Sequence, residues 1–338
     1  MKNLGEVAPA CPICSGQDTV FVSKHADFPD VGIWFCSPCN HWFGYPEPDI
    51  VEIDRYYKKR YGPRRRKYFG EEYYVLMERR AKAQMRFIED CLSRSGKPGN
   101  LRGWRVIDWG CGVGALVAVL QRGGVDAVGY DSDFEAIKVG QKRWAANNTF
   151  SSSYDLSVLQ GQFDLLLLSH VVEHFPDIRR TLGDLLKILQ PHGYVFVEVP
   201  NCSAEMFVAP VDTESHLHFF SMQSLMKIME SVRIQVLTCV SCGPPKISAV
   251  DRGEISVTSN CAKRFAGQIK VRLENTFERL GFRARHVRTI YDGFYEHYSP
   301  GENGLWLRCF GQIQPSAPLD MHLTHDSPDE LADRARPT

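Results

Sequence analysis

Arg105-Val106-Ile107-Asp108-Trp109-Gly110-Cys111-Gly112-Val113-Gly114 is the stretch on which the fold turns. It reads as an apolar strand ending in a carboxylate, then a turn with three alternating glycines. The run Ala115 to Leu120 follows as a helix. A backbone that must turn sharply and approach a ligand closely needs residues without a Cβ, which glycine supplies at low steric cost. The helix behind the turn aims its free N–H groups at whatever lies over it. Strand, glycine turn and helix in this order make a nucleotide-type cofactor cradle at the carboxyl edge of a parallel sheet.

Two cofactor classes compete for that cradle. Gly110, Gly112 and Ala115 satisfy the loose dinucleotide pattern G-x-G-x-x-G/A, which would imply NAD. Asp108 argues against it, because a carboxylate two residues before the first glycine repels an arriving pyrophosphate. A cofactor carrying an amino group and a sulfonium tolerates that charge. Asp108, Gly110, Gly112 and Gly114, with Cys111 in the variable position, resemble the glycine-rich motif of class I S-adenosylmethionine (SAM) methyltransferases.

Downstream, strands and helices alternate, as in a parallel sheet covered on both faces. Val125 to Tyr130 is the second strand and ends at Asp131, placed to accept both ribose hydroxyls of an adenosine, with Ser132 beside it. Asp126 is expected before that strand, and Asp133 inside the next turn. Asp155, after a weak third strand, is the candidate partner of the adenine edge. Phe163 to Ser169 is a buried fourth strand that ends beside Ser169 and His170. A helix to Leu189, a turn at Pro191-His192-Gly193 and a fifth strand Tyr194 to Val199 follow. A helix near Ser221 to Ser231, a strand near Arg233 to Val240 and an antiparallel strand Leu305 to Ile313 complete the sheet.

Upstream, Cys11-Pro12-Ile13-Cys14 and Cys36-Ser37-Pro38-Cys39 form two C-x-x-C knuckles. Such pairs close a tetrahedral thiolate site around Zn2+, each short turn placing both sulfurs on one side of the ion. A redox dithiol would instead open a helix after a parallel strand, and it needs one pair rather than two. Val20 to Val22 and Gly32 to Phe35 read as short strands between the knuckles, giving a zinc ribbon. His41 lies just beyond it as a bystander. From Ile50 to Cys91 the pattern is helical and rich in tyrosine and arginine. Its basic run, Arg64 to Lys67, reads as a solvated face or a phosphate contact.

The 338 residues carry 40 basic and 40 acidic side chains, so no global basic field advertises nucleic acid. Met1 to Ala10 lacks the apolar run of a signal peptide, and no stretch reaches the roughly 18 apolar residues of a membrane helix. A soluble cytoplasmic protein is expected, with its 11 cysteines acting as thiols and metal ligands. The expected organisation is a zinc ribbon over 1–48 and a helical connector or lid over 49–100. A methyltransferase domain then spans 101–313 with an insertion at about 247–300, and 314–338 is a disordered tail. The fold class is α/β, with a Rossmann-like sheet, parallel but for one strand.

With ribbon and glycine turn together, the chain resembles bacterial methyltransferases in which a four-cysteine zinc module precedes a class I SAM domain. Sugar C-methyltransferases are the best-understood members. The resemblance runs from about Cys11 to Val240 and includes Pro46-Glu47-Pro48, Tyr56-Tyr57, His170-Val171-Val172-Glu173-His174, Val199-Pro200-Asn201 and His216-Leu217-His218-Phe219-Phe220. It implies that Glu173 and His174 take part in removing a proton from the acceptor, a task that suits an imidazole titrating near neutrality. His216 and His218 could line the substrate side. Two departures stand out: the long C-terminal domain of the sugar enzymes is missing, and Val171 replaces a tyrosine. The implied activity is methylation of a small molecule, such as a sugar, nucleotide sugar or natural-product intermediate. An RNA methyltransferase with a zinc ribbon and a non-catalytic SAM-binding protein are the alternatives. The oligomeric state is not encoded in any of these features.

Overall fold

The computed structural model describes residues 8–67, 69–144, 150–151, 156–202, 215–245 and 304–314. The main sheet has seven strands. In chain order they are β4 (Arg105–Trp109), β5 (Asp126–Tyr130), β6 (Phe150–Ser151), β7 (Phe163–Ser169), β8 (Leu189–Pro200), β10 (Ile234–Pro245) and β11 (Gly304–Ile313). Their spatial order is β10-β11-β8-β7-β4-β5-β6. β4 through β8 pair in parallel, and β11 alone runs antiparallel to both neighbours. Strand order therefore reverses between β4 and β7, the switch point outside which ligands bind in open α/β sheets.

Leu165, Leu166, Leu167 and Leu168 are all fully buried, because the sheet is covered on both faces. One face carries α3 (Glu71–Arg94) and α4 (Ala115–Arg122), whose Phe87, Ile88, Leu92, Leu116 and Leu120 pack on Val106, Leu165 and Phe196. On the other face, α6 (Ile178–Leu186) and α7 (Met222–Ser231) bring Leu182, Leu185, Leu225 and Ile228 against Leu166, Val195 and Val197. α5 (Phe134–Trp144) follows β5. The fold is thus the mixed α/β, Rossmann-like one expected.

Details differ where backbone geometry overrides local pattern. Asp126 is the first residue of β5, paired with Arg105, rather than a residue before the strand. Pro191-His192-Gly193 does not end an element; it makes a bulge within β8. Phe163 pairs with Leu189 and Leu165 already with Tyr194, and His192 adopts a φ of 64° to absorb the extra residues. α6 stops at Leu186, so Leu189 belongs to the strand. The expected helix within 247–300, and the tail beyond Gln314, lie outside the described residues.

A second, four-stranded antiparallel sheet is built from β1 (Thr19–Lys24), β2 (Gly32–Cys36), β3 (His41–Tyr45) and β9 (His218–Phe220). β3 was not expected, and neither was its partner. β9 comes from nearly 175 residues further along the chain, pairing His41 with Phe220 and Phe43 with His218. The cysteine-bearing hairpins are therefore closed by a strand that follows the main sheet's β8. Between the sheets lie α1 (Ile50–Tyr56), a π-helical turn (Tyr57–Tyr61) and α2 (Gly62–Arg66). Among the described residues, no helix is long and apolar enough to cross a membrane.

Candidate active site

At the tip of β4, Gly110, Gly112 and Gly114 all have positive φ (81°, 57° and 72°), the region closed to most L residues. The turn is closed by the Gly110 and Cys111 N–H groups, which donate to the Tyr130 carbonyl at 2.7 and 2.8 Å. The Gly112 N–H donates to Asp131 Oδ2 at 2.7 Å. Asp131 Oδ1 accepts from the Asp133 N–H at 2.8 Å, so the carboxylate is fixed with lone pairs remaining on both oxygens. Burial pushes the Asp131 carboxyl up, opposed by these N–H bonds and by Arg65. Ser132 is exposed at the start of the turn into α5, its carbonyl accepting from the Phe134 N–H. Asp155 lies outside the described residues.

Asp108 is 3% exposed, and its Oδ1 has no hydrogen-bond partner among the described residues. Burial raises its carboxyl to about 7, with Asp131 adding to the rise and Arg80 opposing it. A buried acid with an orphaned oxygen calls for a donor, which the amino group of SAM would supply and a pyrophosphate would not. Nearby, Arg80 Nη2 donates to Ser169 Oγ at 3.1 Å and its Nε to Glu198 Oε1 at 2.8 Å. Gln84 Nε2 reaches Ser169 Oγ at 2.8 Å. Arg308 Nε, fully buried, holds the other oxygen of Glu198 at 2.5 Å. Sequence reading missed Arg80, Gln84, Glu198 and Arg308, because a lone Arg on a helix or a Glu in an apolar strand carries no motif.

Beyond Ser169 the chain makes a strained step at His170 (φ 56°), whose N–H donates to the Glu198 carbonyl at 2.7 Å. The His170 ring lies between two acids, with Nδ1 3.4 Å from Glu173 Oε1 and Nε2 3.6 Å from Glu198 Oε1. Glu173 is fully buried, and neither carboxylate oxygen has a hydrogen-bond partner among the described residues. Burial favours its neutral form, but the imidazoles of His170, His174 and His216 outweigh it and hold the carboxyl at about 2. His174 is held below its ordinary value by burial, which Glu173 partly offsets. His216, 4.8 Å from His174 between ring centroids, is pushed down to about 3 by burial and by His174. The arrangement is therefore a buried carboxylate ringed by imidazoles, with burial working against the charged form of His174 and His216.

The second sheet sets the position of these histidines. His25 Nδ1 accepts from the Asp27 and Phe28 N–H groups at 3.0 and 3.2 Å, so its Nε2 carries the proton and donates to the His216 carbonyl at 2.8 Å. Asp27 Oδ2 accepts from the Ser215 N–H at 3.1 Å. The Leu217 N–H donates to the Glu173 carbonyl at 2.8 Å. His218 does not face the cluster. It is buried between His41 Nε2 (3.2 Å) and the Phe175 carbonyl (2.9 Å), tying β3 to the turn after His174. Tyr57 and Tyr61 flank His174 with ring centroids at 6.1 and 6.4 Å.

Cys11, Cys14, Cys36 and Cys39 bring their sulfurs within 4.8 Å of one another, with Cys14 and Cys36 3.8 Å apart. That is about the edge of a tetrahedron with Zn–S near 2.3 Å, so the four thiols fit a zinc ion. Arg179 of α6 donates to the Pro12 and Ile13 carbonyls, and Lys227 of α7 to that of Pro38. Both knuckles are thus fastened to the main domain.

Comparison with known proteins finds methyltransferases. Residues 76–237 match the family model described as a methyltransferase domain. Over 181 residues the chain is 27% identical to the mitochondrial ubiquinone biosynthesis O-methyltransferase of Bos taurus, covering 46% of this chain and 48% of that protein. It is 24% identical over 158 residues to the ubiquinone biosynthesis O-methyltransferase of Vibrio cholerae serotype O1, covering 41% and 64%. The chain thus spans about half to two thirds of these relatives, and the matches to them leave out most of its own length. Among solved structures it is similar to the Burkholderia thailandensis 1,6-didemethyltoxoflavin-N1-methyltransferase with bound S-adenosylhomocysteine. The identity is 12% and the TM-score 0.47, over 87% of this chain and 100% of that one.

Proposed function

We propose that the chain is a SAM-dependent methyltransferase acting on a small hydroxylated molecule, a sugar, nucleotide sugar or natural-product intermediate. One observation carries the reading: the acid-lined glycine turn and the Glu173–His174 turn follow the adjacent strands β4 and β7 at the switch point, with His216 brought beside His174 from the segment before β9. When bound, SAM supplies an electrophilic methyl group. The chain's own work is to hold the acceptor in line and to remove its proton.

Asp131 would take the ribose hydroxyls, Asp108 the amino group, and Arg80 the carboxylate of the methionine moiety. His174 Nδ1 donates to the Ser215 carbonyl at 3.3 Å, which leaves Nε2 as the basic atom. Glu173, whose charge favours the charged form of His174, would support an imidazolium forming there. The Cys11, Cys14, Cys36 and Cys39 thiolates would hold one structural zinc. That ion fixes the ribbon, which through His25 and Asp27 fixes His216 and Ser215.

A second reading keeps the chemistry and changes the acceptor to the hydroxyl of a flat ring. The rings of Tyr57, Tyr61 and His216 around His174 favour it, as do relatives named for ubiquinone biosynthesis. Titration with S-adenosylhomocysteine tests the cofactor assignment. Transfer of labelled methyl from SAM to a panel of nucleotide sugars and of phenols separates the two acceptors. Binding of NADH without S-adenosylhomocysteine would defeat both readings.

A further inference from the structure

Arg65 and Arg66 are neighbours on α2, yet they take different parts of one turn. Arg66 Nη1 pairs with both oxygens of Asp133 at 3.0 and 2.9 Å, anchoring the helix to the start of α5. Arg65 turns inward over the glycine turn. A Cβ built on Gly112 would stand 2.9 Å from its Nη2, the atom that also donates to the Tyr73 hydroxyl at 3.4 Å. The basic run is therefore not wholly a solvated face: Arg64 and Lys67 are exposed, whereas Arg65 and Arg66 are half-buried and turned toward the cradle. The remaining cavity measures about 60 Å³ and is bounded by Arg65, Tyr73, Met77, Arg80, Asp108 and Ser169. A ligand pocket needs roughly 300 Å³ or more. A nucleoside cannot lie over Gly112 while Arg65 is there.

We propose that Arg65 is a built-in competitor for the cofactor, so that cofactor binding must displace α2 and with it the acceptor wall formed by Tyr57 and Tyr61. The inference rests on the methyltransferase reading above. Its physical basis is charge: the cradle holds Asp108 and Asp131 close together, and Arg65 is the cation that offsets Asp131. Ribose hydroxyls donated to Asp131 take over that role, which releases the guanidinium. The π-helical turn Tyr57–Tyr61 leads directly into α2, and such turns recur at functional sites. Both tyrosines pack on His174, so moving Arg65 outward moves the wall beside the basic atom. Cofactor then binds before acceptor.

The test uses the full chain and S-adenosylhomocysteine. Arg65→Met, which keeps the bulk of the stem and removes the charge, should tighten binding. The gain is about tenfold where the closed form outweighs the open one ten to one, because apparent affinity is reduced by the competent fraction. Arg66→Ala frees α2 from Asp133 without touching Gly112, and it should act in the same direction more weakly. In the unmodified protein, adding S-adenosylhomocysteine should speed amide hydrogen exchange across residues 57–66, a readout independent of either variant folding. Weaker binding by Arg65→Met would make Arg65 a cofactor ligand and overturn the proposal. So would ligand binding that leaves exchange over 57–66 unchanged, and that result spares the methyltransferase reading. If neither the unmodified chain nor the variants bind the ligand, the methyltransferase reading falls and the competitor falls with it.

Discussion

The cofactor cradle and the histidine cluster lie side by side but are built in opposite ways. The cradle is local: Asp108 to Asp131 is one strand, turn, helix and strand, with its shape held by main-chain bonds from Gly110, Cys111 and Gly112. The cluster is assembled from four distant segments: His25 to Phe28, Tyr57 to Tyr61, His170 to His174 and Ser215 to Leu217. The cradle should therefore survive damage to the ribbon, and the cluster should not. On the proposed function, the ribbon is part of the acceptor side of the site.

Metal removal tests that difference with the largest expected effect. A structural zinc contributes folding free energy outright, so stripping it with a chelator, or Cys36→Ser, should unfold the second sheet. Methyl transfer should vanish while S-adenosylhomocysteine affinity changes by less than about threefold, below 1 kcal/mol. Metal analysis should give one zinc per chain. Equal loss of cofactor binding and turnover would show that the two regions fold as one unit.

His174→Ala comes next. Loss of a general base should slow single-turnover transfer at saturating SAM by about 10²–10⁴-fold and leave cofactor affinity nearly intact. A large loss of affinity would move His174 to the cradle side of the comparison. On that side, Asp131→Ala should weaken S-adenosylhomocysteine binding by roughly 2–4 kcal/mol, the worth of a charge-assisted pair of hydrogen bonds. Asp133→Ala should do far less to binding, since Asp133 caps α5 and pairs with Arg66.

The same contrast explains what the sequence made legible. Gly110, Gly112 and Gly114 could be read because a positive φ leaves its mark on residue type, and the apolar runs of β7 and β8 because a sheet buried on both faces needs them. The cysteine knuckles could be read because ligand spacing is local. β9 could not, because three residues of ordinary strand pattern do not say that their partner is β3. His218 shared a motif with His216 and yet points the other way, although alternate residues of a regular strand share a face; β9 starts only at His218, and His216 lies before it, next to the left-handed Ser215 (φ 66°). Arg80 and Arg65 were invisible as site residues because what matters is where α3 and α2 dock.

His218 also gives a pH prediction of intermediate size. It is 3% exposed, and burial lowers its imidazole to about 4 from 6.5. The unfolded chain then binds a proton that the folded one refuses, so stability is full above pH 6.5 and declines from there toward pH 4. At pH 5 the loss from this residue alone is about 2 kcal/mol. His41 is lowered in the same sense, by burial and by His218. Denaturant unfolding at pH 7 and pH 5 should show the drop, and His218→Gln should reduce it. An unchanged drop would place the acid sensitivity elsewhere.

The smallest effect concerns Glu173, and it separates a supporting carboxylate from a purely structural one. Burial holds the His174 imidazole below its ordinary 6.5, and the Glu173 charge pulls it back up. A base works in its neutral form, so transfer should fall on the acid side only as pH drops below 6.5. Glu173→Gln keeps the shape and removes the charge that favours the imidazolium, so the acid limb should move to lower pH. The maximal rate should fall by less than in His174→Ala, because an uncharged amide no longer stabilises the imidazolium formed in the transition state. If Glu173 served only to shape the turn, Glu173→Gln would change stability and leave the limb where it was. A limb that moved upward would mean that the titrating group is not His174.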